Sequence, residues 1–503
     1  MQKEHIRQKL TLLAKNKIIA ETLKICNSIY FILFYALFTL LSSIFGLEIY
    51  LYLFTAFLIL FVCLFAEDTK ILFVPAFFII FCAAFHHAPE AKPVVNYYLT
   101  LPFIISTIIA GCIGGAGIVF RLFVYPTRAN VWKDKFPFKS GLLLIAVAFL
   151  CNGLFSQEYT VKNLLYAFEL IIALIAIFIL FYQTIDWKKE YVNYLMHIFI
   201  VLVGVLILQF IFTLFLKERF GQFIGFAMKP GIVNWGIKKY DCYFGWGSAN
   251  SFAGVLTMLL PAFYYFAYTK KYGYWFYMAS FIVILAIVLS QGRASILISS
   301  LFALTAMVFF SIKKTPYRKF YWIFHALLIV FAGLIVLFLF DKIKVILEEI
   351  FHRGTSLSGR LGIWIGGLKN FWHYPIFGSG FYAPLDITDS SIIYDKATTG
   401  LTPYFYHNIF IEIIARFGLI GIVAFGIHFY ELARQLVKTK NVQNTTFFCI
   451  LLMILLCSLG DIFFFNLYFT FFYAIILLAW TKNSQYTTIN TRIIEAEEKM
   501  IQV

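Results

Sequence analysis

The sequence predicts an all-α polytopic membrane protein, and its composition is the first observation that leads there. Of the 503 residues, 62% are hydrophobic and only 13% are charged, and the mean hydropathy is +0.85. A soluble domain is typically about 45–50% apolar and about 25% charged. The 61 phenylalanines alone exceed what a water-soluble core can bury. These values exclude a cytosolic enzyme, a disordered chain and a secreted disulfide scaffold.

Apolar runs recur along the whole chain, which is the second observation. A spanning helix needs about 20 mostly apolar residues. Several of the runs are shorter than that, so we expect about 12–14 transmembrane helices. The candidate runs lie near 28–45, 47–66, 71–85, 97–120, 141–155, 164–182, 193–216, 251–268, 274–290, 294–312, 321–340, 408–430, 446–460 and 463–480.

The distribution of basic residues is the third observation and predicts the orientation, because Lys and Arg concentrate in short cytoplasmic loops. With the N-terminus inside, the cytoplasmic segments hold 26 of the 41 basic residues but only 11 of the 25 acidic ones. The net charge of +16 is then a topology signal and requires no nucleic-acid partner. The predicted parts are a cytoplasmic amphipathic segment 1–27, transmembrane helices in 28–340 with an outside loop near 217–250, a large outside loop 341–407, C-terminal transmembrane helices in 408–480 and a cytoplasmic tail 481–503.

The large outside loop is predicted to be ordered and functional. Structureless loops longer than about 15 residues are uncommon unless they are functional or disordered. The aromatic residues of this loop, among them Trp364 and Tyr382, argue against disorder. Two apolar-periodic stretches, near 343–351 and 361–373, indicate short amphipathic helices that lie on the membrane.

Several motifs that would indicate a cofactor or a metal are missing. None of the eight cysteines has C-x-x-C spacing, so neither a zinc site nor a redox motif is indicated. The chain has no Walker, D-x-D, H-E-x-x-H or haem-attachment motif and no nucleophile elbow. We therefore expect a reaction without ATP, without a dedicated metal site and without a cofactor.

Three polar residues are predicted to lie on the outer face. Arg293 sits at the outer end of the tenth span, where an anchoring role is common, although positive charge is disfavoured on that side. Arg360 opens the second amphipathic stretch and is either a solvated charge or, with Arg293, part of a fork that clamps phosphate oxygens. His407, at the start of the twelfth span, is either a structural residue or a general base towards a hydroxyl.

A few acidic residues are harder to assign. Glu412 and Arg416 lie four residues apart in one helix, which favours an intrahelical ion pair. Glu169 has no visible partner in its own span, so it is expected to face a cavity or a neighbouring lysine. Asp241, in the first outside loop, is a further acidic candidate. Glu169 and Asp241 are therefore secondary candidates for the site.

Two spaced patterns carry a resemblance to a known family. His407-Asn408, nine residues and then Gly418-Leu419-Ile420-Gly421 fit H-[NSQ]-x9-G-x-x-[GTY]. This pattern resembles the signature of the bacterial lipopolysaccharide O-antigen ligase family, a branch of the O-antigen ligase/polymerase superfamily. Arg293 to Leu297 fits the second family pattern, R-x3-L, and the order along the chain agrees. Weaker points of similarity are Arg360 with Trp364, the turn Gly378-Ser379-Gly380, and Asn250 with Pro261.

The resemblance, which covers roughly 240–430, implies a C-type glycosyltransferase of the bacterial inner membrane. Such enzymes transfer a glycan from an undecaprenyl-diphosphate donor to an acceptor hydroxyl on the periplasmic side, and in ligases the acceptor is a sugar of the lipid A–core. Carried over by position, Arg293 and Arg360 would bind the donor diphosphate and His407 would orient or deprotonate the acceptor. Asn408, Gly418, Gly421, Leu297 and Trp364 support the motif. A good leaving group needs positioning and charge stabilisation, which implies metal-independent, inverting transfer.

Three alternatives stay open. An O-antigen polymerase or a protein O-oligosaccharyltransferase of the same superfamily differs in its acceptor, which one sequence does not reveal. A lipid-linked oligosaccharide flippase also has 12–14 spans, but it should carry charged residues at several depths of a central cavity. The family is usually described with 12 spans, so the number predicted here departs from its pattern in the first half of the chain.

Overall fold

Helices make up nearly all of the regular structure in the computed structural model of the chain. The structure describes residues 2–45, 47–83, 101–125, 133–134, 136–157, 159–215, 230–234, 237–240, 249–290, 292–313, 317–338, 360–383, 405–461 and 463–501. Asp241 and the first predicted amphipathic stretch of the large loop lie outside the described residues.

The first half of the described chain contains nine helices. They are α1 (Gln2–Ala14), α2 (Lys17–Cys26), α3 (Ile29–Phe45), α4 (Glu48–Phe65), α5 (Phe73–Phe78), α6 (Leu101–Val124), α7 (Lys139–Leu150), α8 (Val161–Thr184) and α9 (Glu190–Phe215). A 3-10 turn (Lys70–Leu72) precedes α5, and a wider π-helical turn (Ile79–Ala83) follows it. A second π-helical turn, Ile172–Ala176, lies inside α8.

The second half begins with a short antiparallel hairpin of β1 (Pro230–Asn234) and β2 (Ile237–Tyr240), in which Val233 pairs with Lys238. The helices that follow are α10 (Ala249–Thr269), α11 (Tyr274–Ser290), α12 (Arg293–Ile312), α13 (Arg318–Phe338), α14 (Arg360–His373), α15 (Ile409–Lys438), α16 (Val442–Cys457) and α17 (Leu467–Ile501). Helix α14 coincides with the second predicted amphipathic stretch of the large loop.

The predicted class, an all-α polytopic membrane protein, is confirmed. Seven described helices are long and apolar enough to cross a membrane, and the number rises to eight if α2 and α3, bent by 73°, form one span. Four further apolar stretches are shorter: Lys70–Cys82, Lys139–Leu150, Tyr274–Ser290 and Val442–Cys457. The predicted 12–14 spans included runs of this shorter kind.

Helix α10 occupies the centre of the C-terminal bundle. Of the seven candidate spans it is the most buried, with 89% of its apolar window inside the protein. It packs against α9, α11, α12 and α16. Because α10 is surrounded by protein on most sides, its hydrophobic residues contact other side chains rather than lipid.

Helix α15 is broken at Gly418, and the break is filled by the chain that follows α14. Gly418 has φ +59°, a conformation that costs an L-residue energy but is open to glycine. The freed amide groups of Leu419 and Ile420 donate to the carbonyls of Pro375 (2.8 Å) and Ile376 (3.2 Å). The segment that follows α14 is therefore attached to α15 at Gly418, within the spaced pattern that runs from His407 to Gly421.

Candidate functional site

A small cavity of about 170 Å³ lies where α10, α12 and α14 begin and where the chain leaves α16. Arg293 and Arg360 both line it, together with Asn250, Ser295 and Asp461. Each arginine is the first residue of its helix. Two side chains that are 67 positions apart in sequence therefore converge on one concave surface, as the predicted phosphate-clamping fork of two arginines requires.

The backbone of Gly460 fixes Arg360 in the cavity. Nη1 of Arg360 donates a short hydrogen bond to the Gly460 carbonyl. A guanidinium has five N–H donors in a planar fork, so the remaining donors stay available to a ligand. A side chain at position 460 would meet Cβ of Ala294 at 2.9 Å, so glycine allows the close approach of this turn to the start of α12.

His407 reaches the same turn through Asp461. Nδ1 of His407 lies 3.2 Å from Oδ1 of Asp461. Both side chains are partly buried, at 22% and 19% of their full exposure, so the pair is accessible from the outside. Because Asp461 also lines the cavity of Arg293 and Arg360, its carboxylate connects His407 to that cavity.

Tyr406, the residue before His407, makes three hydrogen bonds that fix its position. The Tyr406 amide donates a short hydrogen bond to Oε1 of Glu412, and its carbonyl accepts from Nε1 of Trp364 at 2.9 Å. Nδ2 of Asn370 donates to the Tyr406 hydroxyl at 2.8 Å. Burial raises the pKa of that hydroxyl, which keeps it neutral. Trp364, predicted only as motif support, thus connects the helix of Arg360 to the position of the histidine.

His407 itself has an unusual backbone conformation. Its φ is +54°, in the left-handed region that non-glycine residues rarely adopt. The next residue, Asn408, caps α15, with its Oδ1 accepting from the amides of Phe410 (3.0 Å) and Ile411 (3.3 Å). The cap starts the helix immediately after His407, and the left-handed turn directs the imidazole away from the helix axis towards Asp461.

Glu412 and Arg416 form the predicted intrahelical ion pair, and the pair also holds the large loop. Both are almost fully buried, and the guanidinium donates to Oε2 of Glu412. Arg416 also donates through Nη1 to the carbonyls of Gly380 (3.1 Å) and Phe381. The pair therefore joins the turn Gly378-Ser379-Gly380 to the segment that carries His407.

The glycines of this turn have a geometric role. Gly378 and Gly380 have φ of +70° and +85°, and the amides of Ser379 and Gly380 donate to the carbonyls of Ala415 (2.7 Å) and Arg416 (3.2 Å). A Cβ at Gly378 would overlap the Arg416 backbone. These contacts complete the hydrogen bonding of α15 on the N-terminal side of its break at Gly418.

Two of the sequence-predicted residues lie away from the cavity. Leu297 is 62% exposed on the outer surface of α12, one turn after Arg293, so it contributes to the apolar surface of the bundle. Glu169 is exposed on α8 and is not among the residues that line the cavity. The buried side of α8 is formed by residues that include Tyr166, Ala167 and Leu170, and the role of Glu169 as a secondary candidate for the site stays a prediction.

A comparison with protein families finds one match that covers these residues. Residues 278–426 match the family model described as O-antigen ligase. Over this region, the chain is similar to the O-antigen ligase family. A search of the curated proteins finds no match.

The O-antigen ligase match includes α11 to the first half of α15 and with them Arg293, Arg360 and His407. The resemblance inferred from the two spaced patterns is thereby confirmed. The chain is a multi-pass membrane protein, and the region that matches the family model contains Arg293 and Arg360, which line the cavity.

One residue of the site was missed by the sequence analysis and lies outside the O-antigen ligase match. Asp461 follows the apolar run of α16 in Ser458-Leu459-Gly460-Asp461, and a polar turn between two spans is an ordinary connection. One signal in the sequence could have revealed it. The turn falls on the predicted outer face, which also carries the two arginines, so its acidic residue was a candidate partner for them. Among the described residues, no three His, Cys, Asp or Glu side chains are grouped to hold a metal ion.

Proposed function

We propose that this protein is an O-antigen ligase of the bacterial inner membrane, with cytoplasmic termini and a periplasmic site. It transfers a glycan from undecaprenyl diphosphate to a sugar hydroxyl of the lipid A–core. The observation that carries the proposal is the convergence of Arg293 and Arg360 on one cavity with Asp461, whose carboxylate contacts His407. The family match supports the reaction class, and the resemblance supports the choice of donor and acceptor.

The arginines act on the donor. Each guanidinium can donate two parallel hydrogen bonds to phosphate oxygens, and these bonds strengthen as negative charge develops on the leaving diphosphate. Arg360 is preoriented by its bond to Gly460, so little side-chain entropy is lost when the diphosphate binds. Arg293 lies at the N-terminus of α12, where the helix dipole adds positive potential for the same anion.

His407 acts on the acceptor. With Nδ1–H directed at Asp461, the neutral imidazole presents Nε2 as a proton acceptor. The acceptor oxygen forms a bond to the anomeric carbon while the bond from that carbon to the phosphate oxygen breaks, and its electron pair leaves with undecaprenyl diphosphate. The hydroxyl proton moves to Nε2 of His407. Direct attack of this kind inverts the configuration at the anomeric carbon.

The decisive experiment is a transfer assay with purified full-length protein. Undecaprenyl-diphosphate-linked glycan and lipid A–core are incubated with EDTA and without ATP, and the products are separated on a gel. We expect a ladder of glycosylated lipid A–core with the native protein and none with His407→Ala. Because two guanidinium groups supply the positive charge, EDTA should leave the rate unchanged.

Other outcomes assign other functions. A longer glycan that remains on undecaprenyl diphosphate would identify a polymerase, and glycan on an added protein acceptor would identify a protein O-oligosaccharyltransferase. Absence of any covalent product with all three acceptors would contradict the transferase proposal and favour a transporter. An active His407→Ala variant would leave the transferase class intact but reject the proposed base.

A further inference from the structure

A second cavity lies at the opposite end of the same helices. It has a volume of about 510 Å³, within the range of about 300–1,000 Å³ that is usual for ligand pockets. Helices α10, α12 and α16 form it, with Pro261, Phe302 and Cys449 at its deeper end. We call this cavity, with Lys313 and Lys440 at its rim, the rim-lysine groove.

The rim-lysine groove lies at the membrane surface opposite the candidate site. Helix α12 begins at Arg293, which lines the first cavity, and ends at Ile312, next to Lys313. Twenty helical residues span about 30 Å, the thickness of a bilayer's hydrocarbon core. The groove is therefore at the depth of the other leaflet, which the distribution of basic residues assigns to the cytoplasmic side.

The walls of the groove are apolar and open towards the surrounding membrane. Aromatic side chains line it, among them Tyr264, Tyr268 and Phe309. Phe309 is 45% exposed, and Thr305 and Thr445 on the facing helices are also exposed. An apolar channel that is accessible from the lipid phase suits an acyl chain, since a water-soluble ligand would leave much of this surface without polar partners.

The rim of the groove carries positive charge. Nζ of Lys313 donates to the Tyr268 hydroxyl and stands 4.3 Å from the centre of its ring, which fixes the ammonium at the mouth of the groove. Lys440 is exposed on the opposite side of the mouth, just before α16. No ion pair joins either lysine to a carboxylate among the described residues. Two ammonium groups at the mouth of an apolar channel complement an anionic head group with an attached chain.

We propose that the rim-lysine groove binds one anionic phospholipid of the leaflet opposite the candidate site. Its phosphate lies between Lys313 and Lys440, and one acyl chain lies along α12 and α16. The lipid would bridge the two helices whose other ends present Arg293 and Asp461, and so fix their separation. This inference does not depend on the sugar acceptor or on the reaction proposed above.

The test is lipid retention measured by native mass spectrometry on the full chain in detergent. Phosphatidylglycerol and phosphatidylcholine with identical acyl chains are titrated separately. Each lysine near a phosphate is expected to contribute about fivefold to affinity. Phosphatidylglycerol should therefore bind to the native chain on the order of 25-fold more tightly than to the Lys313→Ala/Lys440→Ala variant. The matched control is Lys271→Ala/Lys319→Ala, which removes two exposed lysines of the same face outside the groove and should retain the lipid.

Two further variants separate lipid binding from misfolding and from protein contacts. Lys313→Arg/Lys440→Arg keeps the charge and should keep most of the preference, whereas Thr305→Trp should block the channel and remove retention with both lysines present. Equal retention of the two lipids by the native chain would overturn the proposal. Undiminished phosphatidylglycerol binding by the double alanine variant would also overturn it. So would a native chain that forms a dimer, if Thr305→Trp dissociates this dimer and leaves lipid retention unchanged, because the groove would then hold a second copy of the chain.

Discussion

Nδ1 of His407 lies 3.2 Å from Oδ1 of Asp461, across 54 positions of sequence and between the start of one helix and the turn that follows another. The contact fixes which imidazole nitrogen faces the protein and which is left for a substrate. It also connects the histidine to the cavity of Arg293 and Arg360, because Asp461 belongs to both. The predictions below follow from this arrangement and from the contacts that support it.

Asp461→Asn is expected to reduce the rate of glycan transfer strongly while leaving donor binding intact. Without the carboxylate, His407 is no longer held in the tautomer that presents Nε2 as a base, and general-base catalysis is typically worth about 10²–10⁴-fold. The kinetic signature is a fall in kcat with little change in the KM for the lipid-linked donor. The control is Glu21→Gln, which removes an exposed carboxylate of α2. A KM effect alone would contradict the positioning role.

Arg360→Lys is expected to weaken use of the donor even though the charge is kept. A single ammonium cannot both hold the Gly460 carbonyl and clamp phosphate oxygens in two places. The loss in kcat/KM should be on the order of 10–100-fold, as for a charge-assisted hydrogen bond. The matched control is Arg318→Lys. Arg318 also donates to a backbone carbonyl, that of Ser311 at 3.0 Å, but it is the first residue of α13, far from the cavity of Arg360. Equal losses in the two variants would reject the specific role of Arg360.

Gly418→Ala is expected to destabilise the protein and to loosen the turn at Gly378. An alanine at φ +59° costs about 1–3 kcal/mol, and its Cβ would also overlap the Pro375 carbonyl oxygen. Thermal unfolding in detergent should show a lower Tm. Gly426→Ala, in the same helix, has open space around the new Cβ and should raise stability by up to about 1 kcal/mol. Similar Tm values for the two variants would argue against the strained break.

Glu412→Gln is expected to be more destabilising than a surface change, because Arg416 is only 1% exposed and would lose its partner charge. Breaking a buried ion pair from one side typically costs about 3–5 kcal/mol. The double variant Glu412→Gln/Arg416→Met should be less destabilised than the sum of the two single variants. The measurement is a double-mutant cycle on thermal unfolding; strict additivity would show that the pair is not coupled.

Much of the candidate site was predictable because its residues belong to local sequence patterns. Arg293 and His407 stand at the ends of apolar runs, and Arg360 opens an amphipathic stretch. The ion pair of Glu412 with Arg416 follows from helical spacing. The role of Trp364 was not predictable, since its bond to the Tyr406 carbonyl joins two segments separated by 42 residues. The break in α15 was equally hidden, because a glycine within an apolar run has no pattern that reveals a positive φ.

The sequence by itself determined the class of the molecule, because hydropathy acts through the bilayer and needs no knowledge of neighbouring segments. The placement of basic residues predicts the orientation in the same way. Only the tertiary structure decided that Asp461 contacts His407 and also lines the cavity of the two arginines, and that Glu169 does not line that cavity. It also decided that the carbonyls of Pro375 and Ile376 fill the break at Gly418. These relationships depend on how helices pack side by side. Packing brings together residues that are far apart in the chain, and the spacing within any one segment does not record it.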